Sequence, residues 1–262
     1  MKKILSVLVF VIFVYVVAGC TQKNPVAAEP TTVPTLTLTS TQVQSATVTP
    51  TVTTTSTPYT TQFRNGEFPD AGYNGTSDNW MYAGMDINYG SCSDMVVSSN
   101  GAGTIQRAII AFDVSSIPAG SVVERVYLHL YLGAAVPVSV PINIFVQTTP
   151  WSEGIHCASA ATAGDSNWTS ANFGTSLWTT PGGDIGDGVL GIGVSGLLNE
   201  ELFVQLNAAG TSAVQGWIDT PSSNGGLIIK IPNEAVATDT AIFHSSETAS
   251  VSYRPMLEVL YR

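Results

Sequence analysis

Residues 126–132 read Val-Tyr-Leu-His-Leu-Tyr-Leu, an alternation with no break. In extended chain, successive side chains leave on opposite faces. Leu128, Leu130 and Leu132 therefore share one face, and Tyr127, His129 and Tyr131 share the other. The leucine face needs a covering layer. The Tyr-His-Tyr face is either a flat binding surface or the underside of a second sheet or loop. Further segments have the same strand chemistry: 94–98, 105–112, 138–147, 189–194, 202–206, 227–231 and 256–261. They are rich in β-branched and aromatic residues and are separated by Gly, Pro, Asn and Ser. One helical turn is predicted, with Thr211 as its cap and Val214 and Trp217 spaced to meet a core. Many strands with turns at short intervals predict an all-β fold over 62–262, an antiparallel β-sandwich or a jelly roll.

The chain ahead of this domain is different material. Lys2 and Lys3 precede an uncharged apolar run, 4–17, which leads to Val17-Ala18-Gly19-Cys20. The run is shorter than the about 20 residues that span a bilayer, and it suits a signal peptide over 1–19. Small residues ending in a cysteine resemble the bacterial lipobox. That resemblance implies diacylglycerol on the Cys20 thiol, the membrane as a partner, and an envelope location with the domain on the extracytoplasmic side. The alternatives are an ordinary secretory signal with an incidental cysteine, or an uncleaved anchor. Residues 20–61 are rich in Thr and Pro, carry only Lys23 and Glu29 as charges, and have no aromatic before Tyr59. Such a segment cannot bury enough apolar surface to offset its ordering entropy, so a disordered linker is predicted. Forty residues would reach on the order of 120 Å if extended, or roughly 35 Å as a coil. Bare or O-glycosylated, this is a stalk.

Charge narrows the partners. The chain has nine Lys plus Arg against nineteen Asp plus Glu, and only six of those cations, against eighteen acids, lie beyond residue 61. Affinity for nucleic acid comes from clustered Lys and Arg, so nucleic acid is excluded as a partner. With Cys20 assigned to lipid, Cys92 and Cys157 remain. On an exported domain they are expected to pair, the alternative being two separate thiols.

A further set of residues carries a family resemblance. It comprises Asn88-Tyr89-Gly90-Ser91, the run Arg107-Ala108-Ile109-Ile110-Ala111-Phe112-Asp113-Val114-Ser115-Ser116-Ile117-Pro118-Ala119-Gly120, and Trp151-Ser152-Glu153-Gly154. Val214-Gln215-Gly216-Trp217, Asn224-Gly225-Gly226-Leu227, Ser245-Ser246-Glu247 and Arg254-Pro255-Met256-Leu257-Glu258-Val259 follow in order. This order resembles the DNRLRE domain, related to the family 96 carbohydrate-binding modules, over nearly all of 65–262. The six-letter string that names the domain is absent, and Cys157 with an Ala-rich segment replaces an expected Thr-Trp-Asn pattern. The resemblance implies a jelly-roll-like β-sandwich of secreted and surface proteins, some of which bind polysaccharide, including acidic ones. The acidity of this chain favours a neutral one.

The candidate site residues follow. Trp151, Trp168 and Trp178 fall in loop-rich chain, where their faces either stack on sugar rings or plug loops onto the core. Asp184 and Asp187 share a Gly-rich loop whose oxygens suit a structural calcium or a solvated turn; no other cofactor is expected. Asp70, Asp78, Asp86 and Asp94 are a second acidic set. Asp113 is expected to cap a turn, and Glu247 is one candidate partner for Arg107. No catalytic residue is assigned. His129, His156 and His244 lack metal-ligand spacing, and Gly191-Ile192-Gly193-Val194-Ser195-Gly196 lacks the nucleophile-elbow spacing. The expectation is a lipid-anchored, non-catalytic carbohydrate-binding protein. The alternatives are a structural or adhesive surface protein, and a polysaccharide-degrading enzyme.

Overall fold

The two faces of each strand dictate the architecture. The computed structural model describes residues 57–101, 103–134, 139–235 and 237–262. The signal peptide, Cys20 and nearly all of the 20–61 linker lie outside the described residues. The alternating segment forms β6 (Val123–Tyr131), paired with β15 (Met256–Tyr261) on one side and β12 (Glu201–Gln205) on the other. Beyond β15 lies β1 (Tyr59–Phe63), which completes a four-stranded antiparallel sheet.

The second sheet runs β11 (Gly191–Val194), β7 (Pro141–Val146), β13 (Leu227–Lys230), β5 (Ile105–Phe112), β4 (Asp94–Ser99), β14 (Thr240–His244). A seventh strand, β2 (Thr76–Tyr82), also pairs with β5. Two short ladders, β3 (Ile87–Asn88) with β8 (Ser159–Ala160) and β9 (Ser170–Asn172) with β10 (Ser176–Leu177), brace the loops. Every ladder is antiparallel, and the all-β sandwich predicted from the sequence is the fold observed.

The core lies between the sheets. Leu128, Leu130, Leu257, Val259 and Phe63 face Ala108, Ile110, Ile142, Ile144, Leu227 and Ile229, all fully buried. Each large aliphatic side chain so buried contributes roughly 1.5–3 kcal/mol. A helix, α1 (Ala208–Asp219), adds Val214 and Trp217 to this core. Its cap is Asn207, whose side chain accepts from the N–H groups of Ala209 and Gly210; the expected cap, Thr211, sits inside the helix. Asp113 caps its turn as expected, accepting from Ser115 N at 2.9 Å.

One sequence boundary shifts. The four-stranded sheet takes in Tyr59–Thr61, which the sequence assigns to the linker, because Tyr59 pairs with Tyr261 and their rings stack 6.0 Å apart. The edge strands of the two sheets also meet closely. A Cβ on Gly191 would fall 2.8 Å from Val204, and one on Gly193 would fall 3.0 Å from Leu202, so only glycine lets β11 lie on β12.

The outer face of the seven-stranded sheet is covered by the long connection 147–190. Met81, Ile109 and Ile228 point outward and form a second apolar cluster with Ala171 and Trp178, against which Trp151, Trp168 and Ile185 pack. Among the described residues, no second sheet lies on the outer face of the four-stranded sheet.

Candidate functional site

Three arrangements concern function. The first is a trio of carboxyl groups. Asp78 on β2 is 1% exposed and accepts from Ser246 N at 2.7 Å, while its own N–H donates to Glu153 at 2.6 Å. Ser246 Oγ donates to Glu247 at 2.9 Å, and Asn88 donates to the Glu153 carbonyl at 2.6 Å. The loops that carry these groups are tied by the Cys92–Cys157 disulfide, as expected from the cysteine count. Gly90 lies so close to the Glu153 carbonyl that no side chain fits there.

Each oxygen set in the trio lies within 4.8 Å of the others. Burial raises the Asp78 carboxyl well above the usual range, and the charges of Glu247 and Glu153 push it the same way. Burial likewise pushes Glu153 up to about 8, opposed by the Asp78 N–H and assisted by Glu247. Glu247 is also raised by burial, against hydrogen bonds from Ser246 and Ser245 and the charge of Arg254. Three negative charges cannot share so small and dry a space. The trio can hold protons at neutral pH, or its oxygens can ligate a hard cation of the calcium type. Among the described residues it is the grouping close enough to share a metal ion.

Asp184 and Asp187 do not form such a grouping. Asp184 accepts from Thr149 Oγ1 at 2.6 Å and Thr180 N at 3.0 Å, so its oxygens pin the loop, and Asp187 is exposed. Of the second acidic set only Asp78 joins the trio. Asp70 caps Gly72, Asp86 accepts from Thr169, and Asp94 pairs with His244. Arg107 pairs with Glu234, not with Glu247, because the 231–239 segment brings Glu234 onto the same outer face of β5.

The second arrangement is the tryptophan cluster. The structure does gather Trp151, Trp168 and Trp178, but as packing on the outer face of the seven-stranded sheet. Trp178 is 4% exposed, with its indole N–H on the Asn167 carbonyl at 2.7 Å. Trp151 donates to the Gly225 carbonyl at 2.9 Å, and Trp168 lies beneath Arg107. Trp178 is buried between the long loop and the sheet, and Trp151 and Trp168 are half-buried against it.

The third arrangement is the outer face of the four-stranded sheet. Leu128 and Leu130 are in the core, so Tyr127, His129 and Tyr131 point away from it. Register places Phe203 of β12 opposite His129, and Gln205 opposite Tyr127. The Phe203 and Tyr127 rings stack 4.9 Å apart at 17°, and His129 meets Phe203 edge-on. Phe203 is 54% exposed. Glu201 accepts from His129 Nδ1 at 2.6 Å and from the Tyr131 hydroxyl at 3.1 Å. On the other side of Tyr127, Glu258 takes a hydrogen bond from Gln62 at 2.6 Å. The sequence shows Tyr127, His129 and Tyr131 on one face; Phe203, Glu201 and Glu258 join them only through strand pairing.

No known family model matches this chain, and no curated protein matches it.

Proposed function

We propose that residues 59–262 form a non-catalytic carbohydrate-binding module whose binding surface is the outer face of the four-stranded sheet. The observation that carries this reading is the stacked Phe203–Tyr127 pair on an open sheet face, bordered by Gln62, Gln205, Glu201 and Glu258. Aromatic side chains in such positions offer apolar area to the C–H faces of sugar rings, and amide and carboxylate groups beside them can bond hydroxyls. The resemblance to the DNRLRE domain, related to carbohydrate-binding modules, supports the same reading. The lipobox resemblance at Cys20 adds the setting: a lipid-anchored surface protein, held off the membrane by a Thr/Pro stalk.

Affinity electrophoresis through gels containing soluble polysaccharides tests the binding. The wild-type domain is expected to be retarded by at least one of them, and Phe203→Ala with Tyr127→Ala to run unretarded. Wild-type migration unchanged across a broad panel would overturn the reading.

A further inference from the structure

We infer that this sheet face selects neutral, hydroxyl-rich glycan chains and rejects those bearing uronate or sulfate groups. The inference rests on the carbohydrate-binding reading and concerns the chemistry of its ligand. The ring pair is bracketed by two carboxylates that its neighbours hold in place. Glu201, directly opposite Tyr131, is fixed by the His129 ring and the Tyr131 hydroxyl. Glu258, directly opposite Tyr127, is fixed by the Gln62 amide. A carboxylate held by donors stays where it is when a ligand arrives, so a glycan anion would meet a fixed like charge on either side of the rings.

The cations near this face do not offset them equally. Arg64 is 6% exposed; it bonds Glu67 at 2.9 Å and the Tyr131 hydroxyl at 3.2 Å, with its guanidinium over the Tyr131 ring. Arg254 is turned inward, donating to the carbonyls of Thr248 and Asn65. Arg125 is exposed on this face, in the row with Leu260, beyond Glu258 and away from Phe203. The groups that border the ring pair are therefore the two acids, the Gln205 amide and, two residues from Tyr127 along β6, Arg125; the Gln62 amide stands one strand further out, behind Glu258. An amide both donates and accepts, as a sugar hydroxyl does.

The surface is long enough for a polymer. Four strands span about 14 Å across the sheet. Gln62 also lines a groove of about 540 Å³ at the β1 edge with Thr60, Thr61, Phe68 and Pro69.

Matched polymers that differ only in charge test this. Hydroxyethylcellulose is paired with carboxymethylcellulose, and methyl-esterified galacturonan with its de-esterified form, in affinity gels at low salt. The wild-type domain is expected to bind a neutral member at least roughly tenfold more tightly than its anionic partner. Glu201→Gln combined with Glu258→Gln removes both charges, and is expected to narrow that gap at least about threefold. Phe203→Ala abolishes binding to both. Equal or tighter binding of an anionic member overturns the selectivity and leaves the carbohydrate reading standing. A gap that the double variant does not narrow also overturns it, because the discrimination then lies elsewhere. Retardation by no neutral or anionic polymer overturns both.

Discussion

The Arg107 guanidinium stands 5.1 Å from the centre of the Trp168 ring while its Nε and Nη2 grip the two oxygens of Glu234, each at 2.8 Å. Its third donor, Nη1, holds the Gly182 carbonyl at 2.9 Å. One side chain thus joins β5, the 231–239 segment and the long loop that covers the outer face of the seven-stranded sheet. Lys230 reaches the same carboxylate at 3.1 Å. Arg107→Ala would leave a mostly buried network broken, and a cost of about 3 kcal/mol is expected. Arg107→Lys keeps the charge but loses the fork, so its cost should fall between wild type and alanine. Urea midpoints of the three proteins check the order; an alanine variant as stable as wild type would remove Arg107 from this role.

The carboxyl trio makes stability depend on pH. Glu153 titrates at about 8 in the folded protein against an ordinary 4.5, and Asp78 and Glu247 are displaced in the same direction. The folded state therefore holds more protons than the unfolded one between these values. Its stability is complete below about pH 4.5 and falls as pH rises through about 8. Glu153→Gln removes one of the charges and should flatten that fall. Thermal melts in EDTA at pH 5 and pH 8.5 measure it. A wild-type midpoint that rises toward alkaline pH would contradict the arrangement.

Reduction of Cys92–Cys157 should loosen the same loops. The bridge closes 65 residues of sequence. In the chain-entropy model such a closure stabilises by roughly 4 kcal/mol, which for a domain of this size is roughly 8–16 °C in Tm. Melts with and without dithiothreitol, and of Cys157→Ser, should show this loss. Equal midpoints would mean that the pairing has no part in stability.

Trp178 and Phe203 should divide cleanly between stability and binding. Trp178→Ala removes a buried indole and its hydrogen bond, and should cost about 3–5 kcal/mol. Phe203 is exposed, so Phe203→Ala should leave the melting curve nearly unchanged while glycan retardation disappears. A Phe203 variant that unfolds early would place that ring in the structural core.

Cys20→Ser tests the anchor independently of the domain. Metabolic labelling with palmitate should tag the wild-type protein and not the variant, and the variant should leave the membrane fraction. Unchanged labelling would assign the lipid elsewhere.

Much of the sandwich can be read from local chemistry. Segments such as 105–112 and 256–261 have β-branched residues, alternation and flanking turn formers, and they form the strands expected. β2 escapes that reading. Its sequence, Thr-Ser-Asp-Asn-Trp-Met-Tyr, is polar, yet Asp78 and Asn79 are buried, because their partners come from loops at 153, 166 and 246. The same physics hides the trio: acids in three separate segments carry no local signal of meeting. The placement of the tryptophans is equally hidden, since flanking loop residues say nothing about the sheet face onto which the loop folds. The Tyr127–His129–Tyr131 stripe is legible from alternation alone, whereas Phe203 requires the register of β12 against β6.

The pairing of Tyr59 with Tyr261 has a mechanical meaning. β1 meets β15 in antiparallel register from Tyr59–Tyr261 to Phe63–Leu257. If the preceding segment is the tether proposed above, a pull along it reaches the Tyr59 end of this ladder before the Phe63 end. If the opposite pull comes from a bound polymer on the same sheet, β1 is the part that yields before the core does. The stacked Tyr59 and Tyr261 rings are then the latch that sets how much force the tethered domain withstands before its first strand peels away.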